Sequence, residues 1–186
     1  RAVRLHDGSE IPARAVISAA DGHGTLFGLL SEEHPVPAAL RASYKTLAPF
    51  PGRCQVSFGV SVDLRRRPHG VVRSLGAPCQ VGGRELRTLS LRHYAYDPSF
   101  APPGATAVTV SVDGDEGYWA PLAAAGAAGY EEEKDRLRLW AQARLHETWP
   151  ETEGRVEVWD VATPWTTSRL TGNWQGSYEG WLLTPE

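Results

Sequence analysis

Residues 54–64 alternate without interruption: Val56, Phe58, Val60, Val62 and Leu64 fall on one side, and Gln55, Ser57, Gly59, Ser61 and Asp63 on the other. Successive side chains leave a pleated strand on opposite faces, so this run commits the chain to a sheet. Further strands are predicted at residues 71–75, 86–96, 107–112 and 155–161. In the third of these, Val108, Val110 and Val112 share one side. Ahead of them, Val3 and Leu5, an Asp7-Gly8 turn signal, Ile11 and a second apolar run at residues 15–20 read as a hairpin-like pair. Short helices are predicted at residues 24–30 and 37–44. One long helix is predicted at residues 129–148, where Leu137, Trp140, Ala141 and Leu145 make a stripe at helical spacing and Pro150 ends it. Glu131, Glu132 and Glu133 would occupy its first turn, with Arg136, Arg138 and Arg144 further along, in the sense the helix dipole favours. Residues 101–104 and 121–129, rich in Pro, Gly and Ala, read as loops. Strands outnumber helices and are joined as hairpins, which predicts an α+β fold: a largely antiparallel or mixed sheet with one long helix and a few short helices packed on it.

With 186 residues, 41% of them hydrophobic and 22% charged, the chain can build one good core. A net charge of −3 gives no electrostatic reason to expect nucleic acid or an anionic membrane as partner. Two cysteines, Cys54 and Cys79, make no disulfide framework and suit reduced thiols in the cytoplasm. There is no signal-peptide pattern and no apolar run near the roughly 20 residues of a membrane helix. The chain opens at Arg1 in mid-pattern and holds no methionine, so it is expected to be a piece of something longer.

Few of the familiar chemical motifs survive inspection. GHGTLFG, residues 22–28, follows an apolar run and opens a helix, as a dinucleotide fingerprint would, but the third glycine of that fingerprint falls on Phe27. A strand-to-helix turn with permissive glycines is the simpler reading. The six histidines (His6, His23, His34, His69, His93, His146) have no metal-ligand spacing to one another or to the cysteines, so no metal is expected. No G-x-S-x-G is present to support a serine hydrolase. Arg65-Arg66-Arg67, followed by Pro68, reads as a solvated turn rather than a phosphate grip. The segment TGNWQGSYEGW, residues 171–181, stands apart: three glycines, two tryptophans and a tyrosine in eleven positions. Flat aromatic surface beside bare backbone is costly to order unless something flat or apolar packs there. Two readings fit equally: a core plug, with Trp165, Trp174 and Trp181 closing one end of the sheet, or the wall of a ligand site.

Three stretches in order resemble the phytoene desaturase-like branch of the flavin amine oxidase superfamily, which includes carotenoid desaturases and retinol saturases. IPARAVISAADGHGTLFGLL (residues 11–30) resembles the family's strand-turn-helix, in which an A-D-x-V-[IV]-x-x-A-D run precedes x-T-L-x-x-L-L. YDPSFAPPGATAVTVSV (96–112) is similar to its D-P-S-x-A-P-x-G loop and following strand. ATPWTTSRLTGNWQGSYEGWLLTP (162–185) is the nearest likeness, to T-P-x-T-x-x-R-[YF]-T-G-N-x-x-G-S-x-x-G. Leu170 departs from the family's Tyr or Phe. The family's N-terminal G-x-G-x-x-G and its C-terminal flavin segment do not occur in these residues.

The resemblance implies the middle of an FAD-dependent oxidoreductase, with residues 1–30 at the edge of the FAD-binding domain and 31–186 forming the substrate-binding domain. It implies hydride removal from an apolar small molecule, with flavin as acceptor and no catalytic side chain identified; isomerisation and amine oxidation stay open within the superfamily. Carried over residue by residue, Ser18, Ala19, Ala20 and Asp21 match a strand end that runs past the cofactor, and Trp174, Gly176, Ser177, Tyr178 and Gly180 match a turn beside the flavin ring. His93, Tyr94, Trp119 and Trp159 are expected to line the substrate tunnel with the strands at 54–64 and 86–96. The expected partner is the missing FAD-binding domain of the same polypeptide, and the isolated piece is expected to be inactive. Peripheral membrane contact by the longer protein and pairing of two copies of this piece stay open. The alternative is a non-catalytic α+β module that binds a ligand or a protein.

Overall fold

The computed structural model describes residues 2–31 and 33–182. The last residues of the third motif, 183–185, lie outside it. The fold is α+β. A five-stranded sheet in the order β4-β5-β6-β3-β7 is antiparallel throughout, and a separate two-stranded sheet joins β1 (Ala2–Arg4) to β2 (Glu10–Pro12).

The alternating run becomes β3 (Gly52–Val60) in the middle of the sheet, flanked by β6 (Thr106–Gly114) and β7 (Val156–Ala162). Val56 and Phe58 of β3 and Val108 and Val110 of β6 face the same way and are almost fully buried. Against them pack Trp119, Leu137, Ala141 and Leu145 from two helices, with Trp149 just beyond. Each fully buried side chain of this size contributes about 1.5–3 kcal/mol, so this layer holds the molecule together. The other face of the sheet carries Gln55, Ser57, Thr109, Ser111 and Ser90, all exposed or half-buried.

Several elements end elsewhere than the sequence predicts. The strand expected to reach residue 64 stops at Val60, where its register with β7 shifts. The Thr106 hydroxyl then donates to the Val62 carbonyl at 2.7 Å and accepts from the Leu64 amide at 3.2 Å, turning the chain while Leu64 stays buried. The 71–75 run is the start of a longer edge strand, β4 (Gly70–Val81), broken in register between Ser74 and Cys79; Pro78, without an N–H, lies in the break. It turns at Gly82-Gly83, both at positive φ, into β5 (Arg84–His93), the tight hairpin that paired glycines allow.

The loop expected at 121–129 is helical. Asp115 caps α3 (Glu116–Ala125) by accepting from the Gly117 amide, and α4 (Ala127–Thr148) follows after a single break at Gly126, whose φ of 139° is glycine territory. Alanine is the strongest helix former, and Trp119 anchors α3 in the core, so the segment coils despite Pro121. Because α4 begins at Ala127, the three glutamates sit beyond its first turn. They pair with Lys134 and Arg136 along the helix rather than with its dipole.

The hairpin at the start forms as expected, but the second apolar run, residues 15–20, pairs with no strand among the described residues. Val16 and Ile17 are exposed there, Ile17 to 95%. The run leads into a helical turn, α1 (Gly22–Gly24), which widens into a π-helical stretch at Thr25–Leu29; α2 (Ala38–Thr46) follows. Among the described residues no helix is long and apolar enough to cross a membrane.

Cys54 and Cys79 are both free thiols. Cys54 is buried beside Trp119, whose indole N–H has no conventional acceptor and lies toward the weakly accepting sulfur. Burial pushes the Cys54 thiol from 9.0 up to about 12, a rise that Asp113 and Glu133 add to and the Trp119 N–H opposes. Between those values the unfolded chain gives up this proton and the folded chain keeps it, so stability falls as pH rises through that window. Titration with a thiol reagent at pH 8 is expected to modify Cys79 readily and Cys54 only after denaturant is added. Equal rates at both would show the core to be open.

Candidate functional site

The aromatic–glycine segment begins where α5 (Pro164–Thr171) ends. The Thr163 hydroxyl accepts from the Thr166 amide and Thr166 answers in kind, which fixes the helix start; Gly172, at φ 72°, ends it. The chain then makes a tight turn over Trp174–Gly176. The Asn173 side-chain Nδ2 donates to the Ser177 carbonyl at 2.9 Å, closing the turn. The buried Ser177 hydroxyl is bonded to both the Gly180 amide and carbonyl. Beyond it the backbone docks on the strip before β3: Phe50 N–H donates to Gly180 O at 2.6 Å and Leu182 N–H to Ala48 O at 2.9 Å.

Gly176 is bare for a reason internal to the protein. Its φ is 63°, and an added Cβ would lie 2.5 Å from the Pro164 carbonyl oxygen. The requirement therefore stands without a ligand. Gly180, at φ 92°, has open space where its Cβ would be.

The other contributor comes from the opposite end of the chain. Ser18 Oγ bonds Thr25 Oγ1 at 2.7 Å, and Asp21 Oδ1 accepts from the Gly24 amide at 2.9 Å, so the extended run is pinned to the turn it leads into. His23 of that turn lies flat on Trp174, with centroids 5.2 Å apart and planes 2° from parallel. The result is an open cleft of about 470 Å³, within the range of small-molecule sites. Ala19, Ala20, Asp21 and Gly22 form one side. Asn173, Trp174, Ser177, Tyr178, Glu179, Gly180 and Trp181 form the other, with Tyr44 and Pro49 between. Among the described residues, Asp21 and Glu179 are the charged side chains that line the cleft.

No known family model matches the chain, and no curated protein matches it.

Seven of the nine residues matched to a flavin site meet in this cleft: Ala19, Ala20, Asp21, Trp174, Ser177, Tyr178 and Gly180. Ser18 and Gly176 stand behind it as anchor and hinge. The plug and wall readings of the tryptophans divide: Trp165 packs on the main core, while Trp174 and Trp181 border the cleft. Tyr178 packs edge-on to Phe50 at 5.2 Å, with the Arg53 guanidinium over its ring.

None of the four residues expected in a substrate tunnel lines the cleft. His93 is buried, its Nε2–H donating to the Arg67 carbonyl and its Nδ1 accepting from the Ala95 amide. Trp119 is fully buried beneath the helices. Tyr94 follows His93 and so points to the opposite side of the sheet, its hydroxyl 3.4 Å from that of Thr109. Trp159 lies on edge strand β7, half exposed, with the Arg138 guanidinium 4.9 Å above its ring. The apolar faces of the strands at 54–64 and 86–96 are core, because α3 and α4 cover them.

Tyr44, His23 and Phe27 were not singled out by sequence. Tyr44 sits on α2 among alanine, serine and charged residues, and its only signal was being the one aromatic residue of that helix. Desolvation in the cleft raises its phenol above the ordinary value, and the nearby Asp21 carboxylate adds to the rise.

Proposed function

We propose that this chain is the substrate-binding part of an FAD-dependent oxidoreductase of the phytoene desaturase-like kind, and that its cleft is one wall of the flavin site. The observation that carries the reading is the meeting of residues 19–21 with residues 174–180 in one open cleft, from two motifs at opposite ends of the chain that the same family resemblance matches to a flavin site. The lining suits a flat ring: indole and phenol edges, small side chains at Ala19 and Ala20, and free space at Gly180. Ala19, Ala20, Asp21, Trp174, Ser177, Tyr178 and Gly180 would hold the ring, with Ser18 and Gly176 keeping the two walls in place. Flavin, when bound, supplies the hydride acceptor for oxidation of an apolar substrate. The chain's own part is to bind and orient, and to keep water from the ring.

The unpaired run at residues 15–20 supports the assignment of residues 1–30 to the edge of an FAD-binding domain. Apolar residues exposed on both sides of an extended segment, directly before a helical turn, suit a strand with sheet neighbours on either side. Residues 31–186 form the substrate-binding part in this reading.

The test extends the polypeptide along its own gene in both directions. The extended protein should purify yellow with one flavin per chain, and the flavin should bleach anaerobically when a polyene is added. The 186-residue chain should purify without stoichiometric flavin. An extended protein devoid of flavin overturns the reading; flavin that bleaches with amines and not polyenes transfers the substrate class to amines. Tight flavin that no substrate bleaches would favour a binding module.

A further inference from the structure

The ring of Tyr44 is held on four sides. Trp181 lies 4.6 Å away, Phe27 and Trp174 meet it nearly edge-on at 5.2 and 5.3 Å, and His23 stands at 5.3 Å. A phenol so enclosed cannot swing, so its hydroxyl occupies one place in the cleft. That place is directly over Gly22, where an added Cβ would sit 2.7 Å from the hydroxyl oxygen. No hydrogen-bond partner meets the hydroxyl among the described residues. The group keeps its proton at neutral pH, because burial and Asp21 both disfavour the phenolate. Asp21 itself is engaged with the Gly24 amide. The cleft therefore presents the Tyr44 O–H as an unspent donor held in place by four rings; the Tyr178 hydroxyl, at the more exposed wall, is likewise without a partner among the described residues.

Its charge is equally one-sided. Asp21 and Glu179 line it, and among the described residues no Lys or Arg does; Arg53, over the Tyr178 ring, is paired with Asp113. A phosphate placed here would face two carboxylates with no lining cation to offset them, whereas a neutral ring with acceptor atoms on its edge would meet the Tyr44 donor.

We propose that Tyr44 donates a hydrogen bond to the edge of a neutral, flat heteroaromatic ring in this cleft, and that Asp21 and Glu179 turn the phosphate-bearing part of such a ligand away. The proposal rests on the flavin reading and adds to it a residue and a selectivity.

Equilibrium dialysis of the 186-residue chain against lumiflavin, a bare neutral ring, and against flavin mononucleotide, the same ring with a phosphate, tests it. Lumiflavin should bind saturably, and the mononucleotide several-fold more weakly at low ionic strength, with the gap closing as salt is added. Tyr44→Phe, which keeps the packed ring, should weaken lumiflavin by about 3- to 10-fold and shift its bound absorption band, the size expected for one lost hydrogen bond. Gly22→Ala, whose added methyl would push the Tyr44 ring and its hydroxyl out of their present position, should do the same. Asp21→Asn, which preserves the amide contact at Gly24, should narrow the difference between the two ligands.

Absence of lumiflavin binding by the unaltered chain overturns this proposal, whereas the flavin reading itself stands or falls on the flavin content of the extended protein. Lumiflavin binding that Tyr44→Phe and Gly22→Ala leave unchanged, in strength and in spectrum, overturns the role of Tyr44 and leaves the flavin reading standing. A mononucleotide that binds as tightly as the bare ring at low salt overturns the charge selection.

Discussion

Trp119→Ala is expected to cost about 3–5 kcal/mol of folding stability, the usual range for removing a fully buried indole. Trp119 has no exposed surface, meets Tyr130 and Tyr118 edge-on, and lies with Cys54 under the Gly82 turn. It ties α3 to the β4–β5 hairpin and to the centre of β3 at once. No neighbour is free to refill the space: Gly82 has no side chain, and Cys54 is held in the strand. For a domain of this size the loss corresponds to a fall of roughly 10 °C in the melting temperature. Urea unfolding followed by far-ultraviolet circular dichroism measures it. Cys54 should become reactive at the same time, since the indole that covers it is gone. A loss of less than about 1 kcal/mol in unfolding free energy would mean that α3 is not anchored by this residue.

Gly176→Ala should be nearly as damaging, although it adds only a methyl group. The left-handed backbone costs a non-glycine residue about 1–2 kcal/mol, and forcing a Cβ onto the Pro164 carbonyl adds a similar amount, for a total of about 2–4 kcal/mol. Gly8→Ala is the control. Gly8 also has positive φ, at 85°, but nothing lies within 4 Å of where its Cβ would be, so only the backbone strain applies. If the two substitutions cost the same, the turn is not held against Pro164. Gly176→Ala should also disturb the stack of His23 on Trp174, because the turn that carries Trp174 must shift. A change in tryptophan emission in the folded state, absent from Gly8→Ala, would register that shift. Stability and site are thus joined at one glycine, through the carbonyl it rests on.

How much of this was readable in advance depends on the distance over which each feature is decided. The alternation at 54–64 and at 107–112 named the buried faces of β3 and β6, because period-two patterning is written within a single strand. Asp7-Gly8 marked the first hairpin for the same local reason. The helix at 121–129 was missed because Pro and Gly signals outweighed alanine propensity, and only burial of Trp119 resolves that competition. His93 and Tyr94 part company because β5 ends between them: His93 is buried in the core, while the Tyr94 hydroxyl lies 3.4 Å from that of Thr109 on the other face of the sheet.

By itself the sequence determined the class of fold, the strands with their inner sides, and the two segments whose small or flat side chains border the cleft. Those are properties of neighbours along the chain. Only the tertiary structure decided that the apolar sides of the strands are covered by α3 and α4, that residues 19–22 and 173–181 close on the same cleft, and that a tyrosine from a short, plain helix stands between them. Such juxtapositions come from packing elements distant in the chain. No periodicity within one segment encodes which remote surface will lie against it.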